Sequence, residues 1–364
     1  MDFGIAVATA ADSWKTAARA EALGFSHLWF YDTQMLSADC FVAMGAVKPS
    51  RIRLGTGVLI PSNRIAPVTA NAFATLNRLA PGRIDFGVGT GFTGRRAMGF
   101  GAMKLADFEE YLRVVMGLLA DETVEAPFEG KRSLIRFLNP DLGLIDTGAK
   151  SGNAIKLHLS AYGPKGRRLT AKLAAGWIMF FNDVAGGVAA LADMQASWAE
   201  ADRAADDLYA TAFTCGCVLR PGEAYDSDRV MAEAGPRAAV LLHRAADDAL
   251  AGWQNTSAVP ESVRREVEGY VELARSFEPK EAPYLANHRG HLMFVKDEER
   301  QFVTAGLIRE TTFTAPEGEI VDRVRALRDA GYRQFTVQLM PGQEDAIEDW
   351  ARVMRAVEPR AGQG

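Results

Sequence analysis

Cysteine is scarce in this chain, three in 364 residues, at Cys40, Cys215 and Cys217. So few thiols cannot build a disulfide framework and suit a reducing compartment. Cys215 and Cys217 lie two apart in the strand-like run AFTCGCVL and read as small buried apolar side chains rather than redox or metal ligands. No stretch reaches the roughly 18 consecutive apolar residues of a membrane span. The opening MDFGIAVATA lacks the basic start of a leader and runs straight into a strand. A soluble, cytoplasmic protein without a membrane role is therefore expected. Excess positive charge is missing too: 41 Lys and Arg stand against 46 Asp and Glu, a net charge of −5, and the basic residues form no block. That removes the electrostatic basis for nucleic-acid binding. Short-period repeats and low-complexity tracts are also absent, which favours one domain.

What is present is organised around residues 52–91, IRLGTGVLIPSNRIAPVTANAFATLNRLAPGRIDFGVGTG. Residues 52–54 and 84–88 are short apolar runs of the kind buried on both faces of a parallel sheet. Between them Val68, Ala72, Leu76 and Leu79 recur at helical spacing, with Pro67 at the start and Pro81-Gly82 as the stop. This is a βαβ unit. Gly55, Gly57, Gly87, Gly89 and Gly91 mark its strand ends and leave room for a flat or phosphorylated ligand against bare backbone.

The same rhythm runs along the chain. Strands are expected at 3–8, 27–31, 52–54, 84–88, 155–161, 177–181, 208–219 and 335–339, alternating with helices that include 39–47, 68–79, 105–119 and 317–330. Eight strands at this length suit a (β/α)8 TIM barrel, an α/β fold of about 250 residues plus extras. Two excursions interrupt it, after strands four and seven. Residues 121–153 have room for a hairpin, and residues 221–310 are helical and expected to form a lid over the catalytic face. The expected organisation is one domain over 1–357 with a disordered tail at 358–364.

Polar residues cluster at two strand ends. Asp32, Thr33 and Gln34 follow strand two, on the active face of a barrel. After strand five, Tyr162, Gly163, Pro164, Lys165 and Gly166 form a tight turn into a helix, with Arg167 and Arg168 beside it. A helix amino terminus with positive neighbours is an anion site, and a flavin phosphate would fit there. His288 and His291, in HRGH, lack the glutamate of a zinc-protease motif and a third ligand, so no metal is expected. They read either as a lid pair that contacts substrate or moves a proton, or as structural hydrogen-bonding groups. His27, His158 and His243 read as structural, with His158 directed into the barrel.

Three segments together resemble the bacterial luciferase-like flavin monooxygenases and their deazaflavin-dependent relatives: residues 51–91, the YDTQ after strand two, and SAYGPKGRRLTAKLAAGWI. The likeness covers roughly residues 1–220 and 310–357. It implies a luciferase-like TIM barrel holding FMN or coenzyme F420 at the carboxyl ends of its strands, and a cis peptide at Gly57-Val58. It places Asp32, Thr33 and Gln34 near the ring and Gly57, Val58, Asn63 and Arg64 along one ring face. Gly89, Thr90 and Gly91 would lie beside the phosphate tail, with Tyr162, Gly163, Pro164, Lys165 and Gly166 at the phosphate. Plainer readings stand beside these: Asp32 as a turn residue, Asn63 and Arg64 as a solvated loop, GPKGRR as a helix start alone, and the glycines as close strand packing.

The function expected from the resemblance is a monooxygenase using reduced FMN and O2 on a small organic substrate, supplied by a separate NAD(P)H:flavin reductase. Asp32, Gln34, His288 and His291 are the candidate catalytic residues. A lid carrying Trp253, Phe277, Tyr284, Leu285, Leu292 and Phe294 would keep water out. The alternatives are F420-dependent hydride transfer, of the methylenetetrahydromethanopterin reductase kind, and a non-catalytic flavin-binding barrel. A homodimer is also implied by the resemblance.

Overall fold

Short strands buried on both faces close into a barrel when each is returned by an amphipathic helix, and the computed structural model has this architecture. It describes residues 1–33, 37–38, 51–252 and 259–358. Gln34, Cys40, Trp253, the expected helix at 39–47 and residues 359–364 lie outside the described residues. The strands are β1 (Asp2–Val7), β2 (His27–Phe30), β3 (Arg53–Thr56), β4 (Ile84–Gly89), β5 (Val124–Phe128), β6 (Lys131–Ile135), β7 (Lys156–Ser160), β8 (Gly176–Phe180), β9 (Ala210–Thr214), β10 (Val218–Leu219), β11 (Ala315–Pro316) and β12 (Gln334–Gln338). Eight of them form a closed barrel in the order β1-β2-β3-β4-β7-β8-β9-β12, and β12 returns to β1 with Phe3 opposite Phe335. Every barrel pairing is parallel.

The barrel interior explains its glycines. Trp29 is fully buried inside with Ile178 and Phe213. A Cβ on Gly55 would fall 2.7 Å from the Trp29 ring, and one on Gly87 would fall 2.0 Å from the carbonyl oxygen of Thr56. Only glycine fits at either position. Beneath Trp29, near the amino-terminal end, lies a polar plug. Asp85, 1% exposed, accepts from Arg53 Nε at 2.9 Å and Nη2 at 2.7 Å. The His158 ring packs edge-on to Trp29 with Nε2 3.5 Å from Asp85, so it does point into the barrel.

One departure from the sequence reading follows from a tertiary contact. The expected seventh strand at 208–219 is two strands. β9 stays in the barrel, while β10 leaves it and pairs in parallel with β11. Between them Gly216 meets the backbone of Phe313, where a Cβ would lie 2.5 Å from its carbonyl carbon. Cys215 and Cys217 flank this crossing as free, fully buried thiols, as read from the sequence. The excursion at 121–153 does contain a hairpin, β5 against β6, with Phe128 opposite Lys131. Its two-residue turn, Glu129-Gly130, has φ of 50° and 74°, the twist that suits a tight hairpin.

The insertion after β9 builds a core of its own. The long helix Asp228–Ala251 packs Val230, Ala234, Ala238 and Leu242 against Tyr270 of the helix Arg264–Ala274 and against Phe277 and Leu307. It rests on the carboxyl-terminal side of the barrel: Arg237 reaches Asn182 beyond β8, and Asp247 binds Arg96 of the short helix after β4. Among the described residues no helix is long and apolar enough to cross a membrane.

Candidate active site at the carboxyl ends of the strands

A strand that ends in a buried carboxylate must surround it with donors, and β2 does. Asp32 is 6% exposed. One carboxylate oxygen accepts from the backbone N–H of Ala38 at 2.8 Å and from Arg64 Nη2 at 3.1 Å. The other accepts from the Ile60 N–H at 3.0 Å and from Asn63 Nδ2 at 3.4 Å. Burial pushes its carboxyl up, against the pull of Arg64 and the two backbone donors. Three of these four donors come from the loop after β3 and one from the segment after β2, which makes Asp32 a clamp between two strand ends. It fixes Asn63, which also donates to the Thr33 carbonyl at 3.1 Å, and Arg64, which reaches Ser37 at 3.4 Å.

That clamp frames the other residues read from the sequence. The Gly57–Val58 bond is cis, and the Val58 carbonyl accepts from the Asp32 N–H at 3.1 Å. Leu59 bridges to Val88 of β4. Gly89 closes β4, Thr90 follows, and Gly91 turns with φ of 72° against the Ile60 side chain. Beyond β7, Tyr162 is half-exposed and Gly163 caps the helix Pro164–Lys172 in extended conformation, with no side chain capping the helix start. Lys165 is exposed and Gly166 packs on Ala161. Arg167 turns away, to the Tyr162 carbonyl at 2.6 Å and Asp193 at 2.9 Å. The first turn of that helix therefore presents its N–H groups outward beside Lys165.

His288 and His291 do not share a helical face. The helix Tyr284–Asn287 ends before them, and Gly290 turns with φ of 76°. Their rings still meet at 5.1 Å, within a buried polar network under the lid. His288 Nε2 lies 3.0 Å from Asp247, which also takes Arg96 Nη1 at 3.1 Å and Asn287 Nδ2 at 2.8 Å. His243, read from the sequence as structural, proves central: its Nε2 lies 2.9 Å from Glu299 and its Nδ1 lies 2.8 Å from His291 Nδ1. Burial lowers the pKa of both His243 and His291, so both rings are neutral near pH 7. One tautomer set satisfies these contacts. Nε2–H of His243 donates to Glu299, its Nδ1 accepts from Nδ1–H of His291, and Nε2 of His291 keeps a lone pair. That Nε2 is buried with no partner among the described residues.

Sequence reasoning missed Arg96, Arg237, Arg244, Asp247 and Glu299. The signal for Arg237 and Arg244 was available: they stand seven apart on one long helix, a spacing that returns both to the same face. Thr9 Oγ1 after β1 and Gln338 Nε2 at the end of β12 are further buried polar atoms without a partner among the described residues. Concavities of about 720 and 420 Å3 lie at the other end of the barrel, lined by Asp2, Tyr209 and Arg333 and by His27 and Arg53. They flank the polar plug and hold none of the candidate site residues.

The sequence model of the luciferase-like monooxygenases matches residues 5–334. An F420-dependent glucose-6-phosphate dehydrogenase from Beutenbergia cavernae is 32% identical over 146 residues, 38% of this chain and 40% of that protein. A 5,10-methylenetetrahydromethanopterin reductase from Methanolobus tindarius is 29% identical over 161 residues, 43% of this chain and 46% of that protein. The chain thus matches less than half the length of these curated relatives. The structure of the coenzyme F420-dependent tetrahydromethanopterin reductase from Methanopyrus kandleri superposes with a TM-score of 0.67 at 20% identity, covering 96% of this chain and 97% of that one. The likeness is one of fold.

Proposed function

The chain belongs to the luciferase-like monooxygenase family, and from that premise we propose that it is an F420-dependent oxidoreductase moving a hydride to or from a small organic substrate. The observation that carries the choice of deazaflavin over FMN is the naming of its relatives, an F420-dependent dehydrogenase among them. This favours the hydride-transfer alternative over the FMN monooxygenase first expected from the resemblance. Oxygen and a separate flavin reductase are partners only on the monooxygenase reading.

The residues present fit such a cofactor. A flat ring needs a floor of backbone, which the Gly57–Val58 turn supplies, and rigid polar walls, which Asn63 and Arg64 supply because Asp32 holds them. The unpartnered Thr9 Oγ1 and Gln338 Nε2 face the same end of the barrel and give a polar ring edge something to satisfy. The uncapped turn at Gly163, Pro164, Lys165 and Gly166 would take a phosphate. When bound, F420 supplies the hydride acceptor or donor. The chain supplies position and proton handling. If the substrate is an alcohol, the lone pair on His291 Nε2 accepts its hydroxyl proton, and His243 and Glu299 fix that tautomer and hold the ring still. The lid core keeps water from this path.

The test is a fluorescence titration of the apo-protein with F420 and, separately, with FMN. Micromolar or tighter binding of F420, with weaker FMN, is expected. Preference for FMN would return the protein to the oxygenase reading, and binding of neither would remove the flavin-barrel function while leaving the fold.

A further inference from the structure

Two arginines at the foot of the lid are held by acids. Arg96 binds Asp247 at 3.1 Å, and Arg229 binds Glu233 at 2.9 Å as well as Glu223. Arg237 and Arg244, on the same long helix, have no carboxylate within 4.0 Å among the described residues. Arg237 is only 9% exposed. Its contacts are neutral: Nη2 donates to the Asn182 amide oxygen at 2.6 Å, and the guanidinium lies over the Phe180 ring at 4.5 Å. Its Nε has no partner, and neither does the buried Nε of Arg244, whose guanidinium lies 5.9 Å from the Phe92 ring.

A buried guanidinium without a counter-charge is costly, and a half-buried second one nearby repels it. Seven residues along a helix rise about 10.5 Å and return to nearly the same face, so two arginine side chains can converge on one group between them. The groups acting on Arg237 are Arg244, the Cys215 thiol and the Tyr162 phenol. Burial pushes Cys215 up to about 12, so it offers no negative charge near pH 7. Among the described residues no carboxylate lies within ion-pair distance of either guanidinium. The contacts at Phe180 and Asn182 place Arg237 over the end of β8, beside the β7 end that carries Tyr162, so its guanidinium looks into the barrel mouth.

We propose that Arg237 and Arg244 form the site for an oxyanion, a carboxylate or phosphate group, carried by the substrate. The inference deepens the reading of the site as an F420-dependent hydride-transfer centre and rests on it. It narrows the substrate class to small anionic molecules whose oxyanion is anchored by the lid while the reacting carbon lies over the barrel. Guanidinium is suited to this because its planar donor fork matches two oxygens at once. The anion would also draw the lid helix onto the barrel, since Arg237 already bridges the two through Asn182.

The test uses F420-loaded protein, with cofactor occupancy followed by deazaflavin fluorescence, titrated calorimetrically with inorganic phosphate and separately with acetate. At least one anion is expected to bind. Arg237→Met and Arg244→Met should each weaken it about tenfold or more, while F420 affinity changes less than about twofold. Asn182→Ala, which keeps both guanidiniums, should retain anion binding and shows that a merely disturbed lid is not the cause. The preferred anion separates a carboxylate from a phosphate substrate. Three results would overturn the proposal: neither anion binds the unsubstituted protein, both Met variants bind it unchanged, or Arg237→Met weakens F420 itself about tenfold, which assigns the guanidinium to the cofactor. If F420 fails to bind at all, the proposed function falls, and the same titration of the apo-protein still judges the anion site.

Discussion

At the scale of single residues, two polar groups singled out by sequence behave differently once folded. Asp32 sits where the barrel topology places a reactive group, yet its oxygens are spent on Ala38, Ile60, Asn63 and Arg64. His291 keeps an unpartnered nitrogen at the end of a chain from Glu299 through His243. The difference could not be read from residue type, because it depends on which backbone N–H groups the loop after β3 turns inward. It has a kinetic consequence. His291→Gln keeps a side chain of similar reach and removes the basic ring, so hydride transfer from an alcohol should slow about a hundredfold while F420 affinity stays within about twofold. The low-pH limb of the rate profile should also disappear. Stopped-flow reduction of F420 measures both, and a His291→Gln enzyme with unchanged rate and profile would remove the proton-acceptor role.

At the scale of elements, the βαβ unit was legible because its signals are local: apolar runs, helical spacing, and proline or glycine at the stops. The structure returns its helix as Ala66–Leu79 and its strands as β3 and β4. The break between β9 and β10 was not legible, since nothing within AFTCGCVL says that Phe313, about a hundred residues later, will press on Gly216. Tertiary contact overrides strand propensity there. Glycine inside the barrel carries a similar hidden constraint, and Gly87 makes it measurable. A Cβ at 2.0 Å from the Thr56 carbonyl oxygen has no flexible neighbour to displace, because the obstacle is backbone of the adjoining strand. Gly87→Ala should therefore destabilise the fold by about 3 kcal/mol or more. Gly163→Ala, where a Cβ meets nothing within 4 Å, should cost under about 0.5 kcal/mol. Urea unfolding of the two variants decides the matter, and equal midpoints would contradict the steric account.

At the scale of the whole molecule, the two ends of the barrel share a device. The amino-terminal plug buries His27 and His158 around Asp85, and the lid buries His243 and the Nε2 of His291. The sequence placed His158 inside the barrel through strand alternation, but it could not show that titratable groups would be stored at both ends. Burial lowers the pKa of His27 to about 4, and lowers those of His243 and His291 as well. An unfolded histidine titrates near 6.5, so as pH falls below that value the unfolded chain binds protons that the folded chain refuses, and stability is lost. For His27 the window runs from about 6.5 down to about 4. By pH 5 that residue alone should have removed about 2 kcal/mol. Asp85 acts later. Burial opposes its ionisation, but His158 and Arg53 hold its carboxyl well below the ordinary range. Its contribution is therefore present above about pH 4 and is lost only as pH falls through the lower folded value. Acid unfolding should accordingly begin with the histidines, while the Asp85–Arg53 pair is still intact. Denaturant titrations at pH 7, 6 and 5 test this, and His27→Gln should flatten the slope between pH 6 and 5 by about one proton, roughly 1.4 kcal/mol per pH unit. Stability unchanged from pH 7 to 5 would mean that the buried rings take up protons where they sit, and the order of events would then reverse, with the carboxylates failing first.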